Sequence, residues 1–161
     1  METINKVTHI RLALSGTYGN FKTKFETLLN RLEYDWSDKL TTDPESVKKH
    51  INEVAGETGL MIFDDQEHGL LFTYYNRTEN AIQYSVGNPL VALEMTKHDI
   101  RASLYAPIRV LIYEDHDGQL LAEYDLPSSQ FGQFGEALLP VATGLDKKLK
   151  EVILKAAEQW K

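Results

Sequence analysis

The chain has 161 residues, of which 42% are apolar and 25% are charged, values typical of a globular protein rather than a disordered, collagen-like or membrane-embedded one. Its formal net charge of −7 repels phosphate backbones and anionic lipid headgroups, so we expect it to bind neither nucleic acid nor a membrane surface. Cysteine is absent, which excludes disulfides, thiolate nucleophiles and cysteine-ligated metal centres.

Residues 1–5 are polar and lack the apolar stretch of a signal peptide. No apolar run approaches the roughly 20 residues that a membrane-spanning helix needs. We therefore expect a cytoplasmic protein with no transmembrane segment. The length suits a single domain over residues 1–161, with a buried core of its own.

The first elements are a strand and an amphipathic helix. In residues 8–14, apolar side chains alternate with polar ones, the pattern of a half-buried strand. After the break at Gly16 and Gly19, apolar positions recur at helical spacing, and Asn20 is the expected cap. These positions are Phe21, Phe25, Leu28, Leu29 and Leu32.

A second helix has clearer boundaries. Asp43 is a suitable cap, Pro44 suits the first helical position, and Gly56 marks the end. The segment between the two helices, residues 33–42, is expected to be a linker. Its Trp36 is interpreted as a loop residue anchored on the core.

The middle of the chain predicts two strands, residues 59–63 and 81–86, because both runs are short, apolar and bounded by turn residues. Residues 70–75 between them are dense in apolar and aromatic side chains. Periodicity cannot separate a strand from a short buried helix in so short a run, so both alternatives stay open.

Residues 107–113 and 119–124 flank an Asp-Gly turn and predict a β-hairpin. A final amphipathic helix is expected from about Asp146, with Trp160 on its apolar stripe. Strands and helices alternate irregularly, without a regular βαβ repeat. The predicted fold is therefore an α+β two-layer sandwich, with a mostly antiparallel or mixed sheet and helices packed on one face.

Four segments carry a family resemblance. They are GNPLVA (87–92) followed by Met95, YAPIRVLIYE (105–114), YDLPSS (124–129), and LD (145–146) with KL (148–149). In order and spacing they resemble the bacterial and fungal proteins grouped as domain-of-unknown-function family 302, over residues 59–153. The region before residue 59 diverges from that pattern. The resemblance implies a compact α/β sandwich that is often dimeric, and it implies no activity.

The sequence offers little material for a metal or cofactor site. Glu94 and His98 are four residues apart on an expected helix, and a second acidic group adjoins His68, but no two histidines lie at ligand spacing. Serines lack a nucleophile elbow, and no phosphate-binding or dinucleotide motif is present. We expect no metal and no cofactor, and the catalytic residues, if any, are unknown.

Arg109 is the first candidate for ligand binding. Alternation places it on the strand face opposite Ile108 and Val110, where its guanidinium meets solvent, a carboxylate of the protein or a ligand. Glu123, across the hairpin, is the expected internal partner. An anionic ligand is the alternative.

Five further residues complete the candidate ligand-binding set: Asn88, His68, His98, Tyr105 and Tyr124. Asn88 is interpreted either as a side chain presented to a cavity or as a turn former before Pro89. His68 and His98 are candidate proton carriers or solvated surface groups. The two tyrosines are candidates for lining a pocket or an interface, and core packing is the alternative.

The leading hypothesis is a non-enzymatic homodimer that binds a small molecule or another protein. It depends on the lack of a recognisable catalytic set and on surplus aromatic side chains. The alternative is an enzyme that uses acid and base groups from His68, His98, Glu114 and Arg109 on a small polar substrate. It requires those groups to meet in one cleft.

Overall fold

The computed structural model describes residues 2–33 and 37–158. Five strands form one sheet in the order β1-β5-β4-β3-β2, and each neighbouring pair is antiparallel. The antiparallel arrangement predicted from the hairpin is thus confirmed. The strands are β1 (His9–Ala13), β2 (Met61–Gln66), β3 (Ala81–Gly87), β4 (Ile108–Glu114) and β5 (Leu120–Asp125).

The helices lie between successive strands along the chain or follow the last strand. The α-helices are α1 (Tyr18–Leu28), α2 (Ser37–Thr42), α3 (Pro44–Ala55), α4 (Pro89–Thr96), α5 (Pro127–Phe131) and α6 (Leu139–Ala157). Short 3₁₀ helices cover His68–Tyr75, Ile100–Tyr105, Gly132–Phe134 and Glu136–Leu138.

The main core lies between one face of the sheet and helices α1 and α6. In β4, alternate residues Ile108, Val110 and Ile112 are buried, as the period of a strand requires. Phe21, Phe25 and Leu29 of the α1 segment and Leu145, Leu149 and Ile153 of α6 join the same cluster. The two-layer α+β sandwich with helices on one face is therefore confirmed.

A smaller apolar cluster lies beneath α3. Val47, Ile51 and Ala55 pack with Leu32 and Met61. The predicted start of α3 is confirmed, since Asp43 Oδ1 accepts a hydrogen bond from Ser46 N and Pro44 occupies the first turn.

The opening of α1 differs from the prediction. The cap is Thr17, whose hydroxyl accepts a hydrogen bond from Asn20 N, so the helix begins at Tyr18 and Asn20 lies inside it. The expected linker contains α2 in its second half. Trp36 and Trp160 lie outside the described residues.

Two other boundaries were misplaced or left open. The ambiguous run at 70–75 is helical and belongs to the 3₁₀ helix His68–Tyr75, which resolves the open alternative. Helix α6 begins at Leu139 rather than near Asp146, because Pro140 opens its first turn and Ala142 is already buried against the core.

Candidate functional site: an apolar cavity beside helix α4

Helix α4 is fixed to the end of β3 by one amide side chain. Asn88 Oδ1 accepts hydrogen bonds from Leu90 N at 2.8 Å and Val91 N at 3.4 Å, and its Nδ2 donates to Gly59 O at 3.0 Å. Asn88 is buried, and Pro89 at the first helical position needs no amide donor. The residue therefore turns the chain from β3 into α4 and holds the helix against the segment before β2.

A cavity of about 310 Å³ opens between α4, the carboxyl end of β3 and the amino end of β4. Phe131 of α5 and Leu145 of α6 line its far side. The lining comprises Phe63, Val86, Gly87, Asn88, Pro89, Val91, Ala92, Leu93, Met95, Thr96, Ser103, Ala106, Pro107, Ile108, Phe131 and Leu145.

The chemistry of the cavity is apolar and neutral. Among the described residues, none that lines it carries a charged side chain, and the polar side chains are Asn88, Thr96 and Ser103. Asn88 spends its amide on backbone groups, and the Thr96 hydroxyl is 3.5 Å from Leu93 O. The Ser103 hydroxyl makes no hydrogen bond within the described part of the chain, so it is free to meet a ligand.

Two of the predicted site residues come together elsewhere. Arg109 and Tyr105 line a separate, smaller cavity of about 40 Å³ with Leu104, Pro107, Asp125 and Gln130. The Tyr105 ring packs 5.8 Å from the Phe134 ring and at right angles to Phe131. Pro107 lines both cavities, which places the two sites next to each other.

The other predicted site residues are dispersed. Asn88 forms part of the apolar cavity wall. Tyr124 is buried in the main core, where burial and, secondarily, the charge of Asp146 raise the pKa of its phenol. His68 begins the 3₁₀ helix that follows β2, and His98 is exposed after α4.

The expected pairing of Arg109 with Glu123 is wrong. Glu123 instead accepts from the Tyr113 hydroxyl at 2.6 Å, from His9 Nε2 at 2.8 Å and from Arg11 Nε at 3.1 Å. The Tyr113 hydrogen bond, followed by the hydrogen bond of His9 and by the charges of His9 and Arg11, lowers the pKa of the Glu123 carboxyl. Strand register is the cause, because β4 and β5 pair Leu111, not Arg109, with Glu123.

A network that joins two buried tyrosines to half-buried or exposed charged groups was not foreseen. The Tyr84 hydroxyl donates to Glu26 Oε1 at 2.9 Å, and Arg31 bridges Glu26 and Asp65. A parallel arrangement joins Tyr18 and Lys22 to Glu67. Burial is the main cause of the raised pKa of Tyr18 and of Tyr84. These contacts tie α1 to β2 and β3, so we assign them a structural role.

The cavity itself carried a faint signal in the sequence. Residues 90–93 are all apolar, whereas a helix with one buried side needs apolar residues at only about half of its positions. In the structure Met95 is buried in the core, Val91 lines the cavity, and Leu93 remains 55% exposed at its rim. In the sequence, the sign of a cavity here was therefore a helix with apolar residues on more than one side.

The described residues contain neither a cluster suited to a metal ion nor a helix suited to span a membrane. Within residues 2–33 and 37–158, no three histidine or acidic side chains lie close enough together to hold a metal ion. In the same ranges no helix combines the length and apolar character that crossing a bilayer demands.

The fold and the cavity define an α+β sandwich with an apolar pocket at one end of its sheet. The chain belongs to the family described as domain of unknown function DUF302, whose profile matches residues 36–156. The match starts before residue 59, where the resemblance read from the sequence begins, and so includes α2 and α3.

The chain is similar over nearly its whole length to a solved structure. It is the crystal structure of an uncharacterized conserved protein DUF302 from Bacillus stearothermophilus, at 14% sequence identity and a TM-score of 0.64. The similarity covers 93% of this chain and 98% of that one. At this identity the similarity establishes the shared fold alone. Among curated protein sequences none matches this chain.

Proposed function

We propose that the protein is a binding module for a small, neutral, largely apolar ligand held in the cavity beside α4. The observation that supports it is the cavity of about 310 Å³ whose lining side chains are apolar or uncharged. Ligand pockets in proteins begin near this volume and combine apolar walls with a few polar groups. The Ser103 hydroxyl and the Thr96 hydroxyl supply those polar groups at the rim.

The enzyme alternative gains no support from the placement of its four groups. Arg109 and Glu114 occupy opposite ends of β4, roughly 17 Å apart at the usual strand rise. The Glu114 carboxylate is engaged by Asn80 Nδ2 at 2.6 Å and by Tyr18 N. His68 and His98 follow different elements, and neither borders the apolar cavity. Among the described residues, therefore, these groups do not converge on one cleft.

Self-association forms the second part of the proposal. The 3₁₀ helix His68–Tyr75 exposes four large apolar side chains, Leu70, Leu71, Tyr74 and Tyr75. A contiguous exposed patch of this kind is a common mark of a protein interface. Together with the dimerisation that the family resemblance implies, it supports a homodimer formed through this 3₁₀ helix.

Ligand binding is tested by NMR titration of isotopically labelled protein with indole as a neutral aromatic probe. We expect saturable shifts of the backbone amides of Gly87, Ala92, Met95 and Ala106, which surround the cavity. The charged relative indole-3-carboxylate should produce no such shifts, because a carboxylate would lose its hydration without gaining a cationic partner.

A cavity-filling variant serves as the structural control. Ala92→Phe places a ring in the cavity and should abolish the indole response. Ala137→Phe introduces the same ring at an exposed position outside the cavity and should leave the response intact. The proposal fails if indole shifts no cavity resonance up to its solubility limit, or if both variants respond like the wild type.

A further inference from the structure

The smaller cavity contains a cation and an anion that face each other without forming an ion pair. The antiparallel register that pairs Val110 with Tyr124 sets Arg109 opposite Asp125 on the outer face of the sheet. Within the described residues, however, the Arg109 side chain makes no ion pair and no hydrogen bond. Asp125 instead contacts His9 Nδ1 through Oδ1 at 2.9 Å. The guanidinium and the carboxylate therefore border the same space of about 40 Å³ without filling it.

A buried amide completes the polar lining. Gln130 is 7% exposed, and its Nε2 lies 3.5 Å from Asp125 Oδ2, a long and weak contact. Its Oε1 accepts no hydrogen bond from the described residues. A buried carbonyl oxygen is normally satisfied by protein, by ordered water or by a ligand. Gln130 Oε1 therefore marks an acceptor that an occupant of this cavity would satisfy.

We propose that this polar cavity binds the planar head of a primary carboxamide. The carbonyl oxygen of such a group accepts from the Arg109 guanidinium, while its two N–H bonds donate to Asp125 Oδ2 and Gln130 Oε1. The Tyr105 ring and Pro107 border the same cavity. A volume of about 40 Å³ accommodates the head group, and the rest of the ligand extends into solvent.

A carboxylate fits the same space less well. It would accept from Arg109, but it has no proton to give to Asp125 or to Gln130 Oε1, and its charge is repelled by Asp125. A neutral carboxamide satisfies donor and acceptor together and adds no charge. The site differs in position and chemistry from the apolar cavity beside α4, so it stands or falls separately from the proposed function.

The test is an NMR titration with acetamide, carried to about 100 mM because so small a ligand can bind only weakly. We expect saturable shifts at the amides of Tyr105, Arg109 and Gln130 and none at Ala92 or Met95, which report on the apolar cavity. N,N-dimethylacetamide, which keeps the acceptor and loses both donors, should give no saturable shift.

Variants identify the contacts. Arg109→Met and Gln130→Leu should each weaken acetamide binding by about tenfold or more, since each removes a hydrogen bond of the site. Arg77→Met, an exposed arginine outside the cavity, should bind as the wild type does. Arg109 is exposed, so its variant decides the matter even if Gln130→Leu is poorly folded.

Three results would overturn the assignment. Tighter binding of acetate than of acetamide would make the cavity an anion site of Arg109 alone. Equal binding of N,N-dimethylacetamide would show that the amide protons are not recognised. No saturable shift with any of the three probes would mean that the cavity holds only water.

Discussion

His9 on edge strand β1 has a carboxylate at each ring nitrogen. Its Nδ1 lies 2.9 Å from Asp125 Oδ1, and its Nε2 lies 2.8 Å from Glu123 Oε2. Carboxylates only accept hydrogen bonds, so both contacts require the doubly protonated imidazolium. The hydrogen bond to Asp125, followed by that to Glu123, accordingly raises the pKa of His9.

The pH dependence of stability follows from this shift. Because the pKa of His9 is higher in the folded state, its contribution is fully present below the ordinary histidine pKa and is lost as the pH rises through the folded value. We expect His9→Gln to lower the free energy of unfolding more at about pH 5.5 than at about pH 8.5. Urea denaturation at both pH values measures the difference.

A second histidine provides the control for this experiment. His116 is exposed in the hairpin loop and makes no hydrogen bond among the described residues. His116→Gln should therefore match the wild type at both pH values. An effect of His9→Gln that is equal at the two pH values would mean that the imidazolium contacts do not stabilise the fold.

For Arg109, the sequence predicted the strand face correctly but not the residue that lies opposite. Alternation placed it correctly on the outer face of β4, where it is exposed. The residue expected opposite Arg109 was Glu123, but the register places Asp125 there, two residues further along. The residue that faces a given position across a hairpin depends on how the loop closes. Here Asp115 accepts hydrogen bonds from Asp117 N and Gln119 N, and the resulting register pairs Leu111 with Glu123.

The 3₁₀ helix His68–Tyr75 docks on the segment before β3 through a glycine. A Cβ atom on Gly69 would overlap the carbonyl oxygen of Glu79 and lie 2.9 Å from Ala81 N. Both neighbours are backbone atoms, which cannot swing away as a flexible side chain can. The close approach of the helix to the chain therefore depends on hydrogen at this position.

We expect Gly69→Ala to lower the free energy of unfolding by about 2–4 kcal/mol through this backbone clash. Gly19→Ala is the matched control, since Gly19 lies in α1 and an added Cβ there meets no atom within 4 Å. That change should raise stability by up to about 1 kcal/mol through helix propensity. Thermal and urea unfolding measure both. Equal small effects would show that the 3₁₀ helix shifts to make room.

Element boundaries were predictable where a local signal is strong. The Asp43-Pro44 pair places the start of α3 at the observed residue. Helix α6 begins seven residues earlier than expected, and Thr143 and Gly144, both poor helix formers, obscure its first two turns. The 3₁₀ helix was ambiguous since three residues per turn gives neither the helical nor the strand period.

The whole molecule contains a cavity that no local pattern reveals. Its walls come from residues between positions 63 and 145, which tertiary packing alone brings together. Asn88 was correctly considered as a turn former. Its hydrogen bond to Gly59 O joins the end of β3 to the segment before β2, and no local pattern in the sequence predicts it. The sequence therefore predicted the layers of the fold well and the sites only as isolated residues.

Among the described residues, the 3₁₀ helix His68–Tyr75 exposes large apolar side chains at the surface of the molecule. In a 3₁₀ helix, residues three apart share a face, so Leu71 and Tyr74 lie on one side. They are 61% and 86% exposed, while the neighbouring Phe72 is half-buried beneath the Arg77 guanidinium. Two copies of this surface can cover each other about a two-fold axis.

Light scattering across a concentration series tests this homodimer. The wild type should approach twice the chain mass of 18.4 kDa at high micromolar concentration. The double substitution Leu71→Asp and Tyr74→Asp should return it to 18.4 kDa, because burying two carboxylates per chain without cationic partners is strongly unfavourable. Leu154→Asp, which places one charge on a 44% exposed leucine of α6, should leave the dimer intact. A wild type that stays at 18.4 kDa throughout contradicts the homodimer, and dissociation caused equally by Leu154→Asp contradicts the assignment of the interface to the 3₁₀ helix.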